Sequence, residues 1–310
     1  MDLDIIIPTY NRARLLKDCL RSIFVAARPK GLNITIVAVD NNSGDNTREV
    51  VQSFLELHDL PVRYIFVGRP GKSAALNEAI AQTEGEFVGF IDDDEQLAPA
   101  WFEVAYRELS TSPEVDYIGG PNHPNWEYAA PDWLPIAYPG AVGIVLRPER
   151  TTFSREFRGM LMGGNAVIRR ATLERVLPYP ERLGKIGNKI RSGEDEVIYH
   201  RLLGIGARGI VVPDLIVYHW IPAERMTKSY FRRWIAGRGI SVGWQLRERG
   251  FKEPGLLGIP RYQFGACFRA LWPMLTAKSQ RERFTAQLSV LDCFATLYGR
   301  HFYGVSNLFC

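Results

Sequence analysis

The chain has 310 residues, 46% apolar and 23% charged, with a formal net charge of +4. Those proportions suit a globular chain with room for a sizeable core and argue against disorder or a fibrous repeat. Four cysteines, Cys19, Cys267, Cys293 and Cys310, stand without CxxC spacing. Neither a disulfide framework nor a structural zinc site is therefore expected, and a reducing compartment is. The opening Met1-Asp2-Leu3-Asp4 has no basic leader, and no apolar run reaches membrane-span length. The expected location is the cytoplasm, with the inner face of a membrane as a further possibility. The charge is unevenly spread: residues 221–310 carry 14 Lys/Arg against 5 Asp/Glu. A basic tail suits anionic ligands or an anionic membrane surface, and a solvated face equally.

In chain order, Leu3 to Pro8 reads as a buried strand followed by Thr9-Tyr10-Asn11-Arg12. Leu15, Leu16, Cys19, Leu20 and Ile23 then repeat at helical spacing. Asn33 to Val39 is a second strand that ends in Asp40-Asn41-Asn42-Ser43, with a helix from Asn46 to His58. Val62 to Val67 is a third, followed by Gly71-Lys72-Ser73 and a helix through Leu76 and Ile80. The glycine a P-loop needs would fall at Phe66, so that motif is excluded. The fourth strand, Glu86 to Ile91, runs into Asp92-Asp93-Asp94-Glu95. Strands alternating with helices of this size predict a parallel, doubly wound sheet with its polar loops on one edge.

Asp116 to Pro121 is a further short strand, and Asn122 to Arg158 is a long Pro- and aromatic-rich loop, read as an ordered cover. Met162 to Ile168 is a glycine turn into a strand. Ser192-Gly193-Glu194-Asp195-Glu196 opens an amphipathic helix, and Ala207 to Val217 returns as a strand pair that ends at His219. Tyr230 to Arg249 reads as a glycine-broken segment, and helices are expected near Tyr262 to Ala277 and Arg281 to Tyr298. Arg232, Arg233, Arg238 and Arg247 beside Trp234 and Trp244 suit an interfacial helix or one packed on the body.

Four acids at the end of a buried strand repel one another and are costly to desolvate. A divalent cation would relieve that cost, because carboxylate oxygens suit Mg2+ or Mn2+; a solvated acidic turn is the other reading. Glu194 to Glu196 can be simple helix capping or can fix a general base at a helix start. His219 is either structural or a ligand.

Taken together, Ile7-Pro8-Thr9-Tyr10-Asn11-Arg12, Val39-Asp40-Asn41-Asn42-Ser43, Gly71-Lys72-Ser73-Ala74-Ala75-Leu76-Asn77, Asp92-Asp93-Asp94 and Gly193-Glu194-Asp195 closely resemble glycosyltransferase family 2. The resemblance spans roughly Leu3 to Ile240. It implies an inverting nucleotide-sugar transferase of α/β class with the GT-A fold: a Rossmann-like, mostly parallel sheet flanked by helices, followed by a helical, basic C-terminal region. The expected domains are 1–240, divided into a nucleotide-binding half 1–120 and an acceptor-binding half 121–240, and then 241–310.

The resemblance also implies roles. Pro8, Thr9 and Arg12 hold the nucleotide, with Arg12 near the diphosphate, and Asp40 reads the base, usually uracil. Lys72 and Asn77 border the nucleotide. Asp92 lies by the ribose, with Asp93 beside it, and Asp94 binds Mn2+ or Mg2+, aided by His219; the frame Asp93-x-Glu95 also fits. Asp195 is the catalytic base. Gly164, Asn165 and Glu194 lie on the acceptor side, and Arg225 and Lys228 close over the diphosphate.

The expected donor is a UDP-sugar, and the acceptor a carbohydrate or lipid-linked hydroxyl in polysaccharide or glycoconjugate synthesis. Peripheral membrane contact through the tail is a further expectation; no nucleic acid is expected. The alternatives are a sugar-1-phosphate nucleotidyltransferase and an inactive nucleotide-sugar- or carbohydrate-binding module.

Overall fold

A computed structural model describes residues 1–57, 60–135, 137–157, 159–181, 183, 193–248, 255–256 and 259–302. His58, Arg158, Ser192, Arg249 and Cys310, named above at segment ends or among the thiols, lie outside these. The chain forms two compact units, Met1–Asn125 with Val145–Trp220 and Trp126–Ile144 with Ile221–Cys310.

The first unit begins with the expected alternation of strand and helix. Its elements are β1 (Asp2–Thr9), α1 (Ala13–Val25), β2 (Asn33–Asp40), α2 (Thr47–Leu57), β3 (Val62–Phe66), α3 (Lys72–Ala81) and β4 (Phe87–Ile91). After the acidic turn come β5 (Glu95–Leu97), α4 (Trp101–Thr111), β6 (Tyr117–Gly119) and β7 (Asn122–Trp126). Following 145 are β8 (Thr151–Phe153), β9 (Asn165–Arg169), α5 (Arg170–Glu174), α6 (Glu194–Gly204), β10 (Gly209–Val211) and β11 (Val217–Ile221). An eight-stranded sheet has the order β3-β2-β1-β4-β9-β6-β10-β8, and a three-stranded sheet the order β5-β11-β7. β1 lies parallel to β2 and β4, and β2 to β3, while β9 runs antiparallel to both β4 and β6.

Strand alternation explains the two cores. Ile5 and Ile7 face one way, into a cluster with Leu16, Leu20, Phe54, Trp101 and Phe102. Ile6 faces the other way, with Val37, Val39, Leu76, Ile80 and Leu202. Asp4 is the polar exception on β1. Its buried Oδ2 accepts from the Gly85 N–H at 2.6 Å and from Arg170 at 3.3 Å, which ties the entry of β4 to the start of α5.

The second unit has its own core, in which Ala141, Val142 and Ile144 pack with Phe231, Ile235, Phe284 and Leu288. Trp126, Trp133 and Tyr138 line it. The aromatic stretch expected to be a cover thus supplies part of a second core. Its helices are α7 (Lys228–Glu248), α8 (Arg261–Thr276) and α9 (Gln280–His301), with β12 (Gly255–Leu256) and β13 (Ile259–Pro260) paired between α7 and α8. The boundary expected at 240 falls inside α7.

The segment expected to be broken by glycines is one helix. A Cβ on Gly239 would lie 2.7 Å from Ala295 Cβ, and one on Gly243 would strike the Thr296 carbonyl oxygen. A Cβ on Gly299 would strike the Ile240 carbonyl. These glycines let α7 and α9 approach backbone to backbone, which outweighs their low helix propensity. Cys267 and Cys293 are joined as a disulfide between α8 and α9, with Cα atoms 5.6 Å apart. The spacing that argues against a disulfide framework does not show this pair: tertiary packing, invisible in the spacing, brings the two together. Cys19 is a buried free thiol.

Candidate active site

Three strand ends and one helix start build the site in the first unit. β1 ends at Thr9, β2 at Asp40, β4 at Ile91 just before the acids, and α6 begins at Glu194. Pro8 lies beyond Ile6, the last β1 residue in register with β4. The first two loops are stitched together: the Asn11 N–H donates to Ser43 Oγ at 2.9 Å, and the Gly44 N–H to Asn11 Oδ1 at 2.7 Å. Asn11 and Asn42 take the left-handed backbone, with φ of 52° and 66°, that asparagine tolerates. Asn41 joins the third loop by donating to the Val67 and Arg69 carbonyls and accepting from the Gly71 N–H.

Two cations hold the three aspartates of the turn. Lys72 Nζ donates to Asp92 Oδ1 at 2.6 Å. Asp93 accepts from Thr9 Oγ1 at 2.9 Å and from Arg12 at 2.8 Å, and the same Arg12 nitrogen donates to Asp94 at 2.8 Å. Burial opposes the Arg12 charge, yet Asp93 and Asp94 outweigh it and raise the guanidinium pKa. Burial likewise opposes the Lys72 charge, and Asp92, Asp195 and Glu194 together hold its pKa above the ordinary lysine value. Burial pushes Asp93 up to about 6, with Arg12 pulling down and Asp94 pushing up. The chain thus supplies two cations of its own against the repulsion that sequence assigned to a metal.

Glu95 turns away from this group. Only 1% exposed, it accepts from the Asp92 N–H at 3.0 Å and from Asn122 Nδ2 at 2.6 Å. Burial and then Asp92 raise its pKa well above the carboxylate range. A Cβ on Gly164 would sit 2.5 Å from its Oε2. Glu95 is a strut under the turn, which weakens the Asp93-x-Glu95 frame. Register sets His219 opposite Glu95 on the β5–β11 ladder, and its Nε2 lies 3.7 Å from Asp94 Oδ1.

Asp195 stands in the first turn of α6, after Gly193 at φ 113°. Its buried Oδ1 has no hydrogen-bond partner among the described residues. A cavity of about 10 Å³ borders it, lined by Phe90, Leu161, Gly163, Tyr179 and Ile198. Burial raises its pKa to about 7, opposed by Lys72 and reinforced by Glu194 and Asp92. Glu194 is itself buried.

Two expected site residues have other work. Asn165, wholly buried, donates to the Pro121 and Leu215 carbonyls and accepts from the Trp101 indole N–H at 3.0 Å. Its amide is engaged inside the core. Asn77 donates to the Tyr179 carbonyl and accepts from its N–H, so its amide latches the chain rather than a nucleotide. Arg225 and Lys228 belong to the second unit, where Lys228 Nζ lies 5.5 Å from the centre of the Trp133 ring. Sequence reasoning missed Tyr64, whose hydroxyl donates to Asp40 at 2.6 Å while the Ser43 N–H donates to the other carboxylate oxygen. The signal was adjacency: β3 pairs with β2 in a register that puts Tyr64 beside Ala38, two residues from Asp40.

Residues 4–177 match the family model described as Glycosyl transferase family 2. The chain belongs to that family. As a family 2 glycosyltransferase it is 27% identical over 244 residues to Glycosyltransferase AglE of Haloferax volcanii, across 78% of this chain and 74% of AglE. It is 22% identical over 295 residues to the succinoglycan biosynthesis protein ExoM of Rhizobium meliloti, across 92% of this chain and 88% of ExoM. Its fold is similar to that of a Pyrobaculum calidifontis mannosyltransferase solved with GDP-Man and Mn2+, with TM-score 0.61 and 21% identity over 97% of this chain and 87% of that one. It is similar also to Staphylococcus aureus TarS solved with UDP, with TM-score 0.53 and 19% identity over 98% and 93% of the two chains. The α/β GT-A expectation holds, and the nucleotidyltransferase alternative falls.

A divalent metal can be weighed against the donor set. Asp94 and His219 offer a hard oxygen and an imidazole nitrogen 3.7 Å apart, a span that one ion can bridge. Among the described residues no group of three His, Cys, Asp or Glu is arranged to hold a metal. Two protein ligands suit an ion that draws its remaining ligands from substrate phosphates and water.

Proposed function

We propose that this glycosyltransferase is a metal-dependent, inverting hexosyltransferase. It moves a sugar from a UDP-linked donor to an acceptor hydroxyl in polysaccharide or glycoconjugate synthesis. The observation that carries this reading is the separation of two carboxylate functions around one lysine. Lys72 is paired with Asp92 of the acidic turn and held charged also by Asp195 and Glu194 at the start of α6. One side is suited to a leaving diphosphate and the other to a proton.

Asp40, braced by Tyr64 and Ser43, keeps lone pairs to accept a base N–H. Thr9 and Arg12, with Pro8 fixing the loop, border the diphosphate. Asp94 and His219 would hold Mn2+ or Mg2+, whose charge offsets the charge that develops on the leaving diphosphate. Arg12 and Lys72 supply cationic donors for the same oxygens. Asp195 removes the acceptor hydroxyl's proton as that oxygen attacks the anomeric carbon, and the bond to the diphosphate breaks on the opposite face. One such displacement inverts the centre. The UDP preference draws on the TarS complexes with UDP and UDP-GlcNAc; the Pyrobaculum complex with GDP-Man makes GDP the rival to test. The ExoM relationship supports a polysaccharide product.

A screen of UDP-, GDP- and dTDP-sugars with Mn2+ tests the donor; turnover confined to GDP-sugars overturns the UDP reading. Asp195→Asn is expected to lower transfer by about 10²–10⁴-fold while leaving donor binding by calorimetry within error. Asp94→Ala is expected to weaken Mn2+-dependent donor binding by about tenfold or more. Unchanged binding removes Asp94 from the metal.

A further inference from the structure

The expectation of membrane contact draws on the Arg/Trp content of the tail, and the α7 part of that content is partly engaged within its own unit. Trp234 and Trp244 are only partly exposed. Arg238 forms a two-pronged pair with Asp292, and Arg232 lies over the Phe284 ring. Two of the four α7 arginines are thus engaged with α9 within their own unit.

α8 differs. Its buried Cys267 is tied to α9 through the disulfide. Another face carries Phe268, Leu271, Trp272 and Leu275, exposed by 74%, 41%, 68% and 82%. The spacing i, i+3, i+4, i+7 makes them one stripe along two turns. Apolar side chains are commonly exposed singly; four in a row on one helix mark a contact surface.

Charge indicates what it contacts. Arg261 and Arg269 on α8, and Lys278, Arg281 and Arg283 just beyond it, are all exposed. From 254 to 291 the one acid is Glu282, which caps α9. A second copy of this chain would bring the same positive rim against its own. An anionic bilayer surface instead offers hydrocarbon to the stripe and negative headgroups to the rim, with Phe, Leu and Trp at the depth they favour. Long Arg and Lys stems reach back to the headgroups. Among the described residues no helix is long and apolar enough to cross a membrane.

We propose that α8 docks this glycosyltransferase onto an anionic lipid surface through Phe268, Leu271, Trp272 and Leu275. The test is co-sedimentation of the full chain with phosphatidylcholine vesicles, with and without phosphatidylglycerol. No donor or acceptor is present, so the outcome is independent of the transfer reaction. Binding is expected only with phosphatidylglycerol, weaker at high salt, and reduced by about tenfold or more in Trp272→Ser/Leu275→Ser. Val25→Ser, which removes an apolar residue 79% exposed on the first unit, is expected to bind as the parent does. The double variant must keep the parent's circular dichroism; if it does not, Leu275→Ser alone is compared. No binding to phosphatidylglycerol vesicles, equal binding to both vesicles, or unchanged binding of a folded variant overturns the proposal. A dimer in light scattering without lipid that the double variant abolishes also overturns it, by showing that the stripe joins two copies of the chain or serves a protein partner.

Discussion

Asp195 is asked to take a proton near neutral pH, and its surroundings set its pKa at about 7. Transfer should therefore rise with pH along an acidic limb with its midpoint near 7, and fall about tenfold per unit below it. A kcat profile flat from pH 5 to 8 would remove Asp195 as base. The same shift has a sign for stability. Folding raises this pKa, so the contribution is fully present below the ordinary carboxylate range and is lost as pH rises through 7. Asp195→Asn removes the ionisation, and at pH 8 it should melt higher than the parent by about 2 °C or more. At pH 4 the two should melt alike. Differential scanning calorimetry at both values reads the difference, and equal melting at pH 8 would contradict the shift. A base that costs stability is expected at a site built to hold a carboxylate away from its preferred solvent.

At the scale of elements, what was legible followed from the local apolar pattern. Every strand from β1 to β4 and every helix from α1 to α3 is anticipated within a few residues, because strands buried on both faces read as apolar runs and a helix buried on one face imposes period 3.6. The acidic turn, the Lys72 loop and the Gly193-Glu194-Asp195 start were legible as motifs. What failed depended on packing between distant segments. Asn165 looked polar and available, yet β9 buries it beneath Trp101. Glu95 looked like a fourth acid of the turn, yet the three-residue β5 faces it inward to Asn122. Glycines in α7 looked like breaks because single-sequence propensity cannot see α9. Their packing role is testable. Gly243→Leu should destabilise the second unit by about 1–3 kcal/mol or more, since a helix backbone cannot yield as a side chain does. Gly237→Ala, with nothing within 4 Å of its added Cβ, should be neutral or slightly stabilising. Urea titrations compare the two; equal midpoints would refute the seam.

Across the whole chain, the second unit is assembled from two separated lengths, 126–144 and 221–310. Truncation after Trp220 should therefore leave Trp126, Trp133 and Tyr138 without Phe231, Phe284 and Leu288, the residues they pack with. Such a chain should bind the dye ANS and elute in aggregates on size exclusion; a monodisperse, dye-free product would show that 126–144 needs no tail. That division also has a meaning in time. On a ribosome the aromatic segment emerges early, and Phe284 follows 158 residues after Trp126. At about 5–20 residues per second, that is a wait of roughly 8–30 s. Until α9 is made, the nascent protein carries three aromatic rings whose partners do not yet exist, and those seconds are when a chaperone has something to hold.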